Sequence, residues 1–228
     1  LPVVNLASWV QGRPMPLMVY GPEGVETVVE GFNAAYALDR GYRVAHHGAD
    51  TLPPALGPMA ATALPETGVV WADETLTIRT VRVDHDPASP ALGYRIDYGG
   101  RSVVISGDSN ASAALFSLAE GADLLFHDAL SRTLLDPMIT QAKAAGLDPL
   151  PKIMTDVMEY HADVESLLAP AKAAKVGQLV LYHLVPVPPN GLAERLFRRG
   201  LPEAVILAQD LQRFDLPRGQ KDILIHAP

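Results

Sequence analysis

The chain has 228 residues, 48% of them hydrophobic, with seven histidines, no cysteine and a formal net charge of −8, which fits a single domain spanning residues 1–228. Without cysteine there is no disulfide and no thiolate ligand, so a metal would be held by histidine and carboxylate, a set that suits zinc, manganese or iron. The acidic balance argues against a nucleic-acid partner, and no apolar run approaches the ~18 residues that would give a membrane span.

In chain order, Leu17 to Tyr20 reads as a short strand closed by Gly21-Pro22. From Glu23 to Asp39 the apolar positions Val25, Val28, Val29, Phe32, Ala35 and Tyr36 recur at helical spacing. Thr51 to Thr67, with four prolines, reads as an irregular loop or lid. His46-His47 just before it reads as a pair of exposed loop histidines. Val69 to Ala72 and Thr75 to Val83 are strand-like around a turn at Asp73-Glu74, and Leu92 to Tyr98 and Arg101 to Ser106 flank the hairpin signal Gly99-Gly100.

The second half changes rhythm. A helix around Ser112 to Ala119 precedes an apolar strand, Asp123 to Phe126. Helical patterns then cover Ser131 to Ala145, Lys152 to Met158 and Val164 to Ala174. The strand Gln178 to Tyr182 runs into His183 and the loop Pro186-Val187-Pro188-Pro189. A helix at Leu192 to Arg199 and short strands near Ala204 to Ala208 and Gln212 to Asp215 close the chain. Hairpins followed by alternating strands and helices predict an α/β (α+β) architecture of sheets sandwiched by helices.

One feature repeats. His85, Asp108, His127-Asp128 and His183 each stand just past a predicted strand. In layered α/β folds the loops at one end of the strands converge, so such residues can meet in space. A zinc site needs three or four nitrogen or oxygen ligands. Each residue alone also reads as a satisfied structural histidine or, for Asp108-Ser109, as the cap of the following helix.

Val83-Asp84-His85, then Ala91 to Asp97, Val103-Val104-Ile105-Ser106-Gly107-Asp108-Ser109 and Gly121 to Ala129 together resemble the metallo-β-lactamase superfamily, in the branch of ribonuclease Z and its arylsulfatase-like relatives. Val19 to Gly24, Tyr160-His161-Ala162-Asp163 and Leu179 to Pro186 continue the resemblance in order. It implies a four-layer αβ/βα sandwich binding two zinc ions. His85 would be a ligand of the first zinc, Asp108 the bridging carboxylate and His183 a ligand of the second. His161 would act at the leaving group, oriented by Asp128. Family members more often carry Glu at the position of Asp128 and Thr at that of Ser109. The family's His-x-His-x-Asp-His motif does not occur in the sequence. In relatives it falls immediately before the segment resembling Leu1 to Leu6, so the N-terminal part of the fold, with about half the metal ligands and the general-base aspartate, is expected to be missing. A piece of a longer enzyme, a protein whose N-terminal part lies outside the sequence, and a degenerate member are the readings of that absence.

The expected activity is zinc-dependent hydrolysis of a small-molecule ester, a sulfate ester or phosphodiester, by a metal-activated hydroxide. Between His85 and Asp108 only a hairpin fits, where tRNA-processing relatives insert a long arm, and this counts against tRNA 3′-processing. A catalytically inactive binding or scaffold protein of the same fold is the alternative. A homodimer is left open, as is the compartment, whether periplasmic, secreted or cytoplasmic: no signal peptide is visible at Leu1.

Overall fold

The hairpin signals and the helical periodicities place most elements of the computed structural model, which describes all 228 residues. The chain divides into two compact units, Leu1–Pro65 and Glu66–Pro228.

The first unit contains helix α1 (Pro2–Val10), strand β1 (Leu17–Gly21), helices α2 (Val25–Ala35) and α3 (Ala37–His47), and strand β2 (Met59–Ala63). The helical stretch expected from Glu23 onward breaks at Tyr36 and resumes to the end of α3. His46-His47 therefore sit in the last turn of a helix, not in a loop. The expected loop Thr51 to Thr67 contains β2, which pairs in parallel with β1 from Leu17↔Met59 to Gly21↔Ala63. Trp9, Val29, Leu52 and Met59 form the buried apolar interior of this unit. Asn5 Nδ2 donates to the Gly57 carbonyl (2.8 Å) and ties α1 to the segment before β2.

The second unit is built on one seven-stranded sheet whose strands follow chain order: β3 (Gly68–Ala72), β4 (Leu76–Val83), β5 (Ala91–Tyr98), β6 (Arg101–Ile105), β7 (Leu124–Leu130), β8 (Gln178–Val185) and β9 (Ile206–Leu207). β3 to β6 form antiparallel hairpins, and β6 to β9 pair in parallel. Gly99 and Gly100, at φ +58° and +79°, make the tight turn that joins β5 to β6. Because β4 and β6 are both antiparallel to β5, they point the same way as β7 and β8. The C-terminal ends of four strands thus share one edge of the sheet.

Helices α4 (Ala113–Leu118), α5 (Arg132–Ala144), α6 (Leu150–Asp156), α7 (Val164–Ala173) and α8 (Gly191–Phe197) complete the unit with the hairpin β10 (Arg213–Asp215) and β11 (Leu224–His226). The main core joins Val81, Val83, Val104, Leu125 and Leu181 of the sheet to Leu115 and Phe116 of α4, Leu167 and Ala171 of α7, and Phe197. A smaller cluster of Leu130, Leu135 and Ile139 takes in Met154, Met158 and Val185. Buried Arg101 donates from Nη1 to the carbonyls of Pro217, Gln220 and Asp222 (3.1, 2.8 and 3.0 Å) and pairs through Nη2 with Asp123 (3.0 Å), so one guanidinium fastens the C-terminal segment to the sheet. The result is the mixed α/β class with a central sheet that the sequence predicts. No helix is long and apolar enough to cross a membrane.

Candidate active site

Four histidine- or aspartate-bearing segments reach the shared edge. His85 follows β4 by two residues and Asp108 follows β6 by three. Asp128 and His127 lie inside β7, not past its end, and His183 lies inside β8. Both strands continue beyond the polar residues because the ladder re-forms after a bulge. Tyr182 pairs with Asp128 and Leu184 with Ala129, which leaves His183 as the extra residue, at φ +45°. A non-glycine residue in the left-handed region costs about 1–2 kcal/mol, and a bulge re-aims the side chain it carries.

Asp108 is placed by its neighbours. Gly107 turns the chain at φ +67°, and a Cβ there would stand 2.7 Å from the Leu92 carbonyl oxygen, so only glycine fits. Ser106 Oγ accepts from the Asp128 N–H (3.1 Å), which links the end of β6 to β7. Asn110 joins two further loops: its N–H donates to the Asp84 carbonyl (2.9 Å) and its Nδ2 to that of Glu159 (2.6 Å). The sequence reading missed Ser106 and Asn110 in these roles. Their only local signal is a Ser–Asn-bearing turn at a strand end.

The imidazoles meet around His161. Its ring centroid is 5.2 Å from that of His85 and 5.3 Å from that of His183, and His183 Nε2 stands 3.6 Å from Asp108 Oδ2. The His183 and Asp108 side chains are nearly half exposed, so the cluster opens to solvent. His85 Nδ1 lies 2.9 Å from the Tyr160 carbonyl, which can only accept; that nitrogen therefore carries a proton, and in the neutral ring the lone pair is on Nε2. Tyr160 is a third contributor that the sequence reading did not assign.

Asp128 is fully buried and holds His161 Nδ1 at 2.7 Å through Oδ2. The aspartate is therefore long enough to make the contact. On its other side, buried His127 Nδ1 lies 3.0 Å from Asp128 Oδ1 and donates to the Asp128 carbonyl (2.9 Å). His127 also stacks on Phe116, and its Nε2 has no hydrogen-bond partner. Burial alone would push the Asp128 carboxyl up; the hydrogen bonds and charge of His127 and His161 outweigh it and hold the group below its usual value. The pair is thus an imidazole locked with Nδ1 protonated and Nε2 facing the cluster, an arrangement suited to proton transfer.

His85 Nε2, His183 Nε2 and the Asp108 carboxylate are also chemically fit to hold zinc. Two ligands of one tetrahedral ion with bonds near 2.1 Å stand about 3.4 Å apart, close to the 3.6 Å between His183 and Asp108. The anchored Nδ1 of His85 is the usual outer hydrogen bond of a metal-binding imidazole. No three His, Asp or Glu side chains are arranged around a single ion position.

Residues 3–184 match the family model described as beta-lactamase superfamily domain. The ribonuclease Z of Mycobacterium tuberculosis strain H37Rv is 35% identical over 195 residues, 84% of this chain and 66% of that protein. Across the mycobacterial relatives matched, the chain spans 64 to 80% of their length. Among solved structures, the short form of human tRNase Z is 21% identical with a TM-score of 0.55 and covers 92% of this chain and 71% of that one. Zn(2+)-bound PqqB from Methylobacterium extorquens is 17% identical with a TM-score of 0.51, over 90% of this chain and 64% of that one.

The expected partners need correction. A small-molecule substrate with no nucleic-acid partner does not stand against relatives named ribonuclease Z at 35% identity. Net charge sums the whole surface, whereas a substrate is engaged at one place on it. The short connection between His85 and Asp108 shows only that no long arm is inserted there. Family match, relatives and fold agree: the chain belongs to the metallo-β-lactamase superfamily, a family of hydrolases.

Proposed function

We propose that the chain is a ribonuclease Z-like phosphodiesterase that hydrolyses RNA at the cluster of His85, Asp108, His161 and His183. His85, Asp108 and His183 are the metal ligands this chain contributes, and His161, positioned by Asp128, is its proton donor. The observation that carries this reading is the 2.7 Å pair of His161 and buried Asp128, set between the His85 and His183 rings. Identity of 35% to proteins named ribonuclease Z supports the substrate class.

Breaking a P–O bond leaves an alkoxide oxygen that must be protonated. His161 can deliver that proton from Nε2, while Asp128 stabilises the charged ring and keeps Nδ1 facing away from the substrate. Zinc, when bound, supplies a water of pKa near ~7 and positive charge beside the phosphate. Fold alone does not choose among RNA substrates; the site must do so.

Two measurements on the full-length protein test the proposal. Zinc content by mass spectrometry should fall in Asp108→Asn and His183→Ala but stay constant in His161→Ala. Cleavage of a 3′-extended transfer-RNA precursor should fall in all three. Zinc content unchanged by the first two substitutions refutes the ligand assignment, and no cleavage of any RNA by the zinc-loaded protein refutes the substrate class.

A further inference from the structure

Beside His183 lies an open cavity of about 450 Å³, within the ~300–1,000 Å³ range of small-ligand clefts. Its floor is one face of the sheet. Ile105 and Phe126 are register partners, and Tyr182 follows the partner of Phe126 by two residues, so all three project to the same side. Phe214 of β10 stands edge-on to Phe126, with ring centroids 5.2 Å apart. Asp128, two residues beyond Phe126 in β7, shares that face, and His183 lines both the cavity and the cluster.

The rim is a turn in which the Gln212 N–H donates to the Gln209 carbonyl (3.1 Å). Leu211 at the tip of this turn has φ +65° and is 91% exposed. Left-handed backbone and an apolar side chain in water are two costs with no gain inside the folded chain; such strain concentrates at ligand clamps. The chemistry of the walls selects the occupant. No lysine or arginine lines the cavity, while the Asp210 carboxylate does, so a phosphate is repelled. Aromatic faces accept a neutral planar ring, and Gln209, Asp210 and Gln212 offer hydrogen-bonding groups at its edge.

We propose that this cavity receives the nucleobase adjoining the scissile phosphodiester, with the base against Phe126 and Phe214, Leu211 closing over it, and the phosphate at His183 and Asp108. The proposal rests on the RNA-hydrolase reading and adds the determinant that positions the substrate. Titration of 2-aminopurine riboside 5′-monophosphate with the full-length protein tests it, because stacking quenches that fluorophore. The wild type should quench saturably, and Phe214→Leu should weaken binding at least about fivefold. Leu211→Gly removes the cap without disturbing the core and carries the test if Phe214→Leu does not fold. Ribose 5-phosphate should compete about tenfold less well than adenosine 5′-monophosphate. In RNA cleavage, an abasic nucleotide beside the scissile bond should lower kcat/KM about tenfold in the wild type and have no effect in Phe214→Leu. Equal competition by the two phosphates, or affinity unchanged in both variants, overturns the proposal. RNA cleaved without quenching defeats the pocket alone; quenching without cleavage of any RNA defeats the hydrolase reading and leaves the base site standing.

Discussion

Replacing Asp128 with asparagine probes the site at its buried centre. Asp128 Oδ2 accepts from His161 Nδ1 (2.7 Å), while Oδ1 has no hydrogen-bond partner and stands 3.0 Å from His127 Nδ1, whose N–H goes to the Asp128 carbonyl. An amide of the same size has one acceptor oxygen, so its NH2 must face one of the two rings. Leaving such a buried group unmatched costs about 1–3 kcal/mol. If the NH2 faces His161, the ring holds its proton at Nε2 in place of Nδ1, and the doubly protonated ring that donates from Nε2 loses the carboxylate that stabilises it. General acid catalysis contributes typically ~10²–10⁴-fold, so kcat on RNA should fall at least about hundredfold. Urea unfolding reads the first effect, steady-state kinetics the second, and imidazole nitrogen shifts in NMR report the tautomer directly. The pH dependence follows from the sign of the shift. The Asp128 carboxyl is held below its ordinary value in the folded chain, so its stabilising contribution is complete above about 3.9 and disappears as pH falls through the lower folded value. The stability gap between wild type and variant should therefore close in acid. Unchanged ring tautomers together with a kcat within threefold of wild type would refute the argument.

Four further outcomes follow from geometry. Gly107→Ala, which meets the Leu92 carbonyl at 2.7 Å and adopts φ +67°, should cost about 2–4 kcal/mol in urea unfolding. Gly100→Ala, at φ +79° with open space around it, should cost only about 1 kcal/mol. In metal-free protein, His183→Gly should relieve backbone strain and raise stability by about 1 kcal/mol in thermal melts, while zinc content falls when metal is supplied. Arg101→Met should destabilise by about 2–3 kcal/mol and expose residues 217–222 to limited proteolysis. Asp123 is pushed up by burial but held below its ordinary value overall by Arg101 and Ser102, so its stabilisation is present near neutral pH and lost in acid; the variant should lose most of that acid sensitivity.

The β3–β6 hairpins were legible because their turn chemistry is local: Gly99 and Gly100 both take positive φ, the signature that the sequence displays. β2 was not, because Met59 to Ala63 is mostly alanine, and the strand exists through pairing with β1 some forty residues earlier. Helix α1 escaped notice although Pro2 sits at its first turn and Gly12 follows its end at φ +86°. At the site, strand-end position and the family resemblance brought out His85, Asp108 and His183, but the strand ends were set too early, so that Asp128 and His183 were placed beyond strands that contain them. A buried aspartate inside a strand looks like a strand end until its partner is known, and that partner, His161, lies 33 residues away. The Tyr160 carbonyl that orients His85 belongs to the backbone and leaves no mark in residue identity.

The seven strands stand side by side in the order in which the chain is made. During synthesis each new strand can add to the edge left by the one before it, and no gap must be held open for a later arrival. A nascent chain completed through β7 would already carry His85, Asp108 and Asp128 but expose an apolar edge. His161 comes with the following stretch and His183 only with β8, the strand that covers that edge. The histidine cluster is therefore assembled in the same step that removes the nascent chain's most adhesive surface, so a protein stalled before β8 would be both inactive and prone to aggregate.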